Sequence, residues 1–107
     1  MPGRRRDPKG DLDLYLTSLG FEREVRFHDS RRWRFDWAKD GVAVEYEGGV
    51  FASGDEGGHR AMGRFLADVE KYSVAAAMGW KVIRCTAKHV ESGDAFSWIE
   101  QALGGAG

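Results

Sequence analysis

Residues 33–49 read WRFDWAKDGVAVEYEGG, and the fold turns on how this stretch pairs with itself. Asp40-Gly41 suits a two-residue type I′ turn, because both central positions need positive φ. On either side, aromatic and β-branched residues alternate with other types, the period-2 pattern of a half-buried strand. With the turn placed there, Lys39 faces Val42, Ala38 faces Ala43, Trp37 faces Val44 and Asp36 faces Glu45. Trp33, Phe35, Trp37, Val42, Val44 and Tyr46 then share one side, which reads as a core face. Arg34, Asp36, Ala38, Ala43, Glu45 and Glu47 share the other.

The second face carries the chemistry. Carboxylates set directly across a strand pair repel. An acidic face open to solvent screens that repulsion; a hard divalent cation turns it into binding, since Mg²⁺ is held by one or two carboxylates together with water and substrate phosphates. Both readings stand at the level of the hairpin. On the metal-site reading, Asp36→Asn or Glu45→Gln relieves like-charge repulsion, so the fold is expected to stay intact, even with a higher melting temperature.

A chain of 107 residues, 42% hydrophobic and 31% charged, has the size and composition of one globular domain. Its net charge of −1 gives no global basic signal for nucleic acid, although an acidic metal site lowers that sum in a nuclease. Cys85 is the sole cysteine, which excludes an intrachain disulfide and a cysteine-rich zinc site. No apolar run approaches membrane-spanning length and no signal-peptide pattern opens the chain, so the expectation is a cytoplasmic protein with no membrane partner.

Residues 1–10 (MPGRRRDPKG) read as a disordered basic arm, and residues 11–107 as a single domain. Residues 11–19 form a short helix through Leu12, Tyr15, Leu16 and Leu19, stopped at Gly20. Residues 21–27 alternate as a first strand, with Phe21, Arg23, Val25 and Phe27 on one side. A polar turn at 28–32 leads into the hairpin. Residues 48–58 are a glycine-dense loop that lacks a P-loop pattern, either a flexible connector or a lid over the acidic strand. Residues 59–78 form the long helix, with Met62, Phe65, Leu66, Val69, Tyr72, Ser73 and Ala76 as the inward stripe. Arg60, Arg64, Asp68 and Lys71 form a second, polar stripe. Residues 80–85 are a strand, 86–91 a helical turn, and a last helix buries Phe96, Ile99 and Leu103. Strand, long helix, strand predicts a right-handed crossover with a parallel neighbour. The expected architecture is α/β: a small mixed β-sheet flanked by helices.

The constellation D-x8-E-x-E across a hairpin, with a lysine on the next helix, resembles the PD-(D/E)xK nuclease superfamily, and most nearly the small phage-type endonucleases similar to Holliday-junction resolvases. Their run resembles RFHPxRRWRFDFA, AVEIEGG, an EKYN-like helix segment and GWxVxR. This chain has RFHDSRRWRFDWA at 26–38, VAVEYEGG at 42–49 and DVEKYSVAAAMGWKVIR at 68–84. The resemblance spans residues 24–84 and implies a restriction-endonuclease-like core and a Mg²⁺- or Mn²⁺-dependent endodeoxyribonuclease.

On that resemblance Asp36 and Glu45 are metal ligands. Glu47 stands where the superfamily usually has lysine; a carboxylate there binds metal through water or acts as general base. The missing cation then comes from Lys71, whose plainer reading is a solvent lysine paired with Asp68 or Glu70. Glu24 is an additional acidic candidate, with Glu22 its rival. His28, Arg31, Arg32, His59, Arg60 and Arg64 are candidates for phosphate contact; Arg32 equally suits an ion pair with Glu24. The implied partners are branched or junction DNA and a second copy in a homodimer. The alternatives are a non-catalytic nucleic-acid-binding or accessory subunit that keeps the nuclease fold, and a repair- or restriction-type nuclease acting on other DNA.

Overall fold

The computed structural model of the protein describes residues 7–48 and 59–104. Along the chain run α1 (Pro8–Ser18), β1 (Glu22–Arg26), β2 (Arg34–Lys39), β3 (Val42–Tyr46), α2 (His59–Ala77), β4 (Lys81–Cys85), α3 (Ala87–Ser92) and α4 (Asp94–Ala102). The strands form one sheet in the order β1-β2-β3-β4. β1, β2 and β3 are mutually antiparallel neighbours, and β4 lies parallel to β3 across the α2 crossover. This is the small α/β arrangement with a mixed sheet that the order of periodic segments implies. No helix among the described residues is long and apolar enough to cross a membrane.

Local chemistry accounts for the boundaries. The hairpin turn falls at Asp40 (φ 50°) and Gly41 (φ 82°), both left-handed as a type I′ turn requires. Its register pairs Lys39 with Val42, Ala38 with Ala43 and Trp37 with Val44. α1 starts earlier than its apolar spacing suggests. Asp7 Oδ1 accepts the Gly10 N–H at 3.0 Å, and Pro8 occupies the first turn, where its missing N–H costs nothing. Residues 8–10 of the expected arm are therefore helical, while residues 1–6 lie outside the described residues. So do residues 49–58 of the glycine-dense loop. α2 gives way to Gly79 at φ 98°, after which the chain turns into β4.

The sheet separates two apolar clusters. On one face Leu12 and Leu16 of α1, Val90 of α3 and Ala95 and Ile99 of α4 pack against Phe21, Trp37, Val42, Val44 and Cys85. On the other, Ala75 of α2 packs against Phe27, Phe35, Ala38 and Ala43, with Trp33, Trp80 and Val82 around them. Phe27 stacks on Phe35 at 4.0 Å, and Trp80 meets Phe35 edge-on at 5.0 Å. Phe35, Leu12, Leu16, Ile99 and Val44 are fully buried, each worth about 1.5–3 kcal/mol of apolar transfer.

Strict alternation fails in one place. Phe35 and Trp37 are two residues apart yet serve opposite clusters, and so do Phe21 and the pair Val25 and Phe27. Both strands change face at the same level. The β1–β2 register pairs Arg23 with Trp37 and Val25 with Phe35, and between those pairs Glu24 sits at φ 53°. A left-handed residue inside a strand rotates the residues after it and interrupts the pleat. The expected single core face is thus split, with Trp33 and Phe35 on the α2 side and Trp37 on the α1 side.

The expected inward stripe of α2 also faces the wrong way. Met62, Phe65, Leu66 and Val69 are 56%, 61%, 57% and 47% exposed, and Ser73 and Ala76 are exposed beside them. Ala75 and half-buried Lys71 face the sheet instead. At 100° per residue, Lys71 and Ala75 lie on the side opposite Met62, Leu66, Val69 and Ser73. The periodicity located the apolar face correctly but not its direction, because the inner side of this helix serves a charged group on the sheet.

Candidate active site around Asp36 and Glu45

β3 delivers Glu45 to the face covered by α2, on the same side as the fully buried Ala43. Only 6% of Glu45 is exposed. Its Oε2 accepts the Asp36 N–H at 2.8 Å. Its Oε1 accepts from Lys71 Nζ at 3.2 Å and from the Tyr72 hydroxyl. The Lys71 side chain is itself 16% exposed and lies 5.9 Å from the Phe35 ring. A buried carboxylate persists only when paired and hydrogen-bonded, and Glu45 has both kinds of support. Burial, followed by the hydrogen bond to Glu45, pushes the Tyr72 hydroxyl well above the usual phenol range, so it remains a neutral donor. The expectation that Glu45 is destabilised by a facing carboxylate is therefore corrected: cation and donors outweigh the repulsion.

Asp36 answers Glu45 reciprocally. Its Oδ2 accepts the Tyr46 N–H at 2.8 Å. Each carboxylate thus bonds a backbone amide of the opposite strand just beyond Trp37 and Val44, the last paired residues of the β2–β3 register at this end. Asp36 also lines a cavity of about 420 Å³, shared with Glu24, Asp13, Lys9 and Arg23 beside the first turn of α1. Glu24 is exposed and lies 3.9 Å from Arg34, not from Arg32. Asp13 receives Arg23 at 2.7 and 2.8 Å and Trp37 Nε1 at 2.8 Å. Those bonds, the Arg23 one foremost, hold its carboxyl down at about 2. The network ties α1 to both strands next to Asp36.

Glu47 is occupied by a cation from β4. Arg84 Nε donates to Glu47 Oε2 at 2.8 Å, and its guanidinium sits 4.4 Å over the Tyr72 ring and 3.7 Å from Asp68. The hydrogen bond to Glu47 raises the Arg84 pKa further. Sequence reading missed both Arg84 and the Tyr72 hydroxyl. Tyr72 reads from its periodicity as part of an apolar stripe, and Arg84 reaches Glu47 only because β4 runs parallel to β3 with Glu45 opposite Arg84. Behind them Cys85 is buried, its thiol pushed up to about 11 by desolvation and then by Glu47 and Asp36.

The candidates for phosphate contact are scattered. Arg31 is committed to Glu70 at 3.1 Å and stacks 3.9 Å over Trp33, linking the 28–33 turn to α2. His28 Nδ1 accepts the N–H groups of Ser30 (3.2 Å) and Arg31 (3.0 Å), which spends the imidazole on shaping that turn. Arg32, Arg60 and Arg64 are exposed. His59 opens α2, and its side chain lies outside the described residues.

The donor chemistry suits a hard cation. By type, the carboxylate oxygens of Asp36 and Glu45 are ligands that Mg²⁺ and Mn²⁺ prefer, and both Glu45 oxygens already accept donors from the protein. Among the described residues no three His, Cys, Asp or Glu side chains converge into a group able to enclose a metal ion. The form open to these residues is a site of one or two carboxylates completed by water and substrate oxygens. The chain matches no family model, no curated protein and no solved structure.

Proposed function

We propose that this chain is a metal-dependent endonuclease of the PD-(D/E)xK kind, with a restriction-endonuclease-like core, that hydrolyses DNA phosphodiester bonds with a preference for branched substrates such as four-way junctions. The observation that carries the reading is Lys71 Nζ at 3.2 Å from Glu45, reached from the helix after the hairpin. That contact is what a lysine relocated from the position of Glu47 must make. The parallel β3–α2–β4 unit supports it, since it brings Lys71 and Arg84 to the same acidic strand.

In this reading Asp36 and Glu45 hold Mg²⁺ or Mn²⁺. When bound, the cation supplies an acidified water and offsets charge on the phosphate. The protein groups do the rest. Lys71, now shared between Glu45 and the substrate, adds positive charge where the phosphate accumulates negative charge. Tyr72 fixes the orientation of the Glu45 carboxylate. Glu47, steadied by Arg84, takes a proton from the attacking water in this reading.

The test is a cleavage panel of four-way junction, flap, single strand and plain duplex with Mg²⁺, Mn²⁺ or EDTA. Metal-dependent cleavage is expected, with Asp36→Asn reducing it at least about 100-fold while the circular dichroism stays native. Absence of metal-dependent cleavage on every substrate favours the non-catalytic binding subunit. Cleavage undiminished by Asp36→Asn refutes the assigned site.

A further inference from the structure

The outward stripe of α2 has no role in the proposed chemistry, which lies against the opposite side of the helix. Met62, Phe65, Leu66 and Val69 are about half exposed or more. Together they present roughly 400 Å² of apolar surface, within the range of the largest patch on a typical monomer, which is often functional. Side-chain size is graded along the stripe. The large residues Met62, Phe65 and Leu66 lie towards the N-terminal end; Ser73, Ala76 and Ala77 lie towards the C-terminal end, with Val69 between. Beside the small residues the surface is hollow: a depression of about 380 Å³ is bounded by Phe65, Val69, Tyr72, Ser73 and Ala76 and by the Asp68–Arg84 ion pair.

We infer that this stripe is the contact between two copies of the chain, with their α2 helices antiparallel about a twofold axis at Val69. In that arrangement Met62 meets Ala76 of the second copy, Phe65 meets Ser73 and Leu66 meets Tyr72. Met62 and Phe65 land where the other helix is thin, Leu66 lies against the half-buried Tyr72, and Phe65 enters the hollow. A parallel pairing sets large on large and leaves the small end empty, so packing selects the antiparallel one. The positions recur at 62, 65, 66, 69, 73 and 76, the seam spacing of paired helices. The carboxylates of Glu70 and Asp68 near the seam are each paired with an arginine, Glu70 with Arg31 at 3.1 Å and Asp68 with Arg84 at 3.7 Å, which reduces repulsion between copies. With the small residues included, the contact stays at or below the roughly 800 Å² per partner of a standard interface, which calls for a dimer on the order of micromolar rather than an obligate one. The inference stands on burial and shape, independently of the nuclease reading.

Sedimentation equilibrium of the full chain across roughly 1–200 µM tests it. The expected result is a monomer–dimer equilibrium. Val69→Asp places two carboxylates together on the axis, and Leu66→Glu charges the seam beside it. Both positions are already exposed, so each variant should keep native circular dichroism and sediment as a monomer. Geometry is read by oxidative cross-linking. Val69→Cys should form an interchain disulfide, Met62→Cys with Ala76→Cys should also do so, and Met62→Cys alone should not. A wild-type monomer throughout the range, a dimer indifferent to Val69→Asp, or a cross-link through Met62→Cys alone overturns the inference. None of these readouts depends on cleavage.

Discussion

Replacing Glu45 by glutamine tests the energetics of the site most directly. The substitution keeps shape and volume but removes a charge that is 6% exposed and takes three donors: the Asp36 N–H, Lys71 Nζ and the Tyr72 hydroxyl. Glutamine has one acceptor oxygen. If it serves Asp36, its NH₂ group faces the Lys71 ammonium; if it serves Lys71 and Tyr72, the Asp36 N–H loses its acceptor. Removing one partner of a buried ion pair costs about 3–5 kcal/mol. The residual exposure of Lys71 and the bonds glutamine retains reduce this to about 2–3 kcal/mol. For a domain of this size that is a fall in Tm of about 10–20 °C. Lys71→Met leaves the carboxylate with two of its donors and should cost less, about 1–2 kcal/mol. Combining the two substitutions removes both charges together, so the double variant should be more stable than the sum of the singles by about 1–2 kcal/mol. Urea unfolding followed by circular dichroism measures all three. A Glu45→Gln protein as stable as wild type, or single effects that add to the double within about 0.5 kcal/mol, refutes the claim that the Lys71–Glu45 pair holds α2 to the sheet.

Two further perturbations probe the neighbourhood of Asp36. Asp13 titrates at about 2 when folded against an ordinary 3.8, so its bonds to Arg23 and Trp37 stabilise the fold fully above pH about 4, and that contribution is lost as the pH falls through about 2. Arg23 is largely exposed, which keeps the effect small. Asp13→Asn should therefore be less stable than wild type near pH 6 and converge with it towards pH 2; a pH-independent difference in unfolding midpoint contradicts this. Glu24→Gly removes a side chain from a left-handed backbone position at φ 53° and gives up only a 3.9 Å surface contact with Arg34. The fold should gain up to about 1 kcal/mol while metal-dependent cleavage weakens, the signature of strain kept for function. A lowered melting temperature shows that no strain was stored there.

Much of this protein was legible in the chain because the signals are local. The Asp40-Gly41 turn sets the hairpin register through its own φ preferences, and register in turn sets Asp36 near Glu45. The strand, long helix, strand order dictated a parallel β3–β4 pair. Periodicity also picked out the two faces of α2. What sequence could not supply is which way those faces point. A helix with one apolar and one polar stripe ordinarily buries the first, and here Lys71 and Ala75 turn inward while Met62, Phe65, Leu66 and Val69 stay exposed, because Glu45 on the sheet takes Lys71 and Tyr72 as its partners. The change of face at Glu24 and Asp36 was equally invisible, since a left-handed residue in mid-strand leaves no mark in composition. Arg84 at Glu47 depends on the parallel register between strands separated by a helix. Residue types and local turns determined the elements and their order. Packing across the sheet decided which carboxylate is buried, which cation answers it, and which apolar surface is left facing outward.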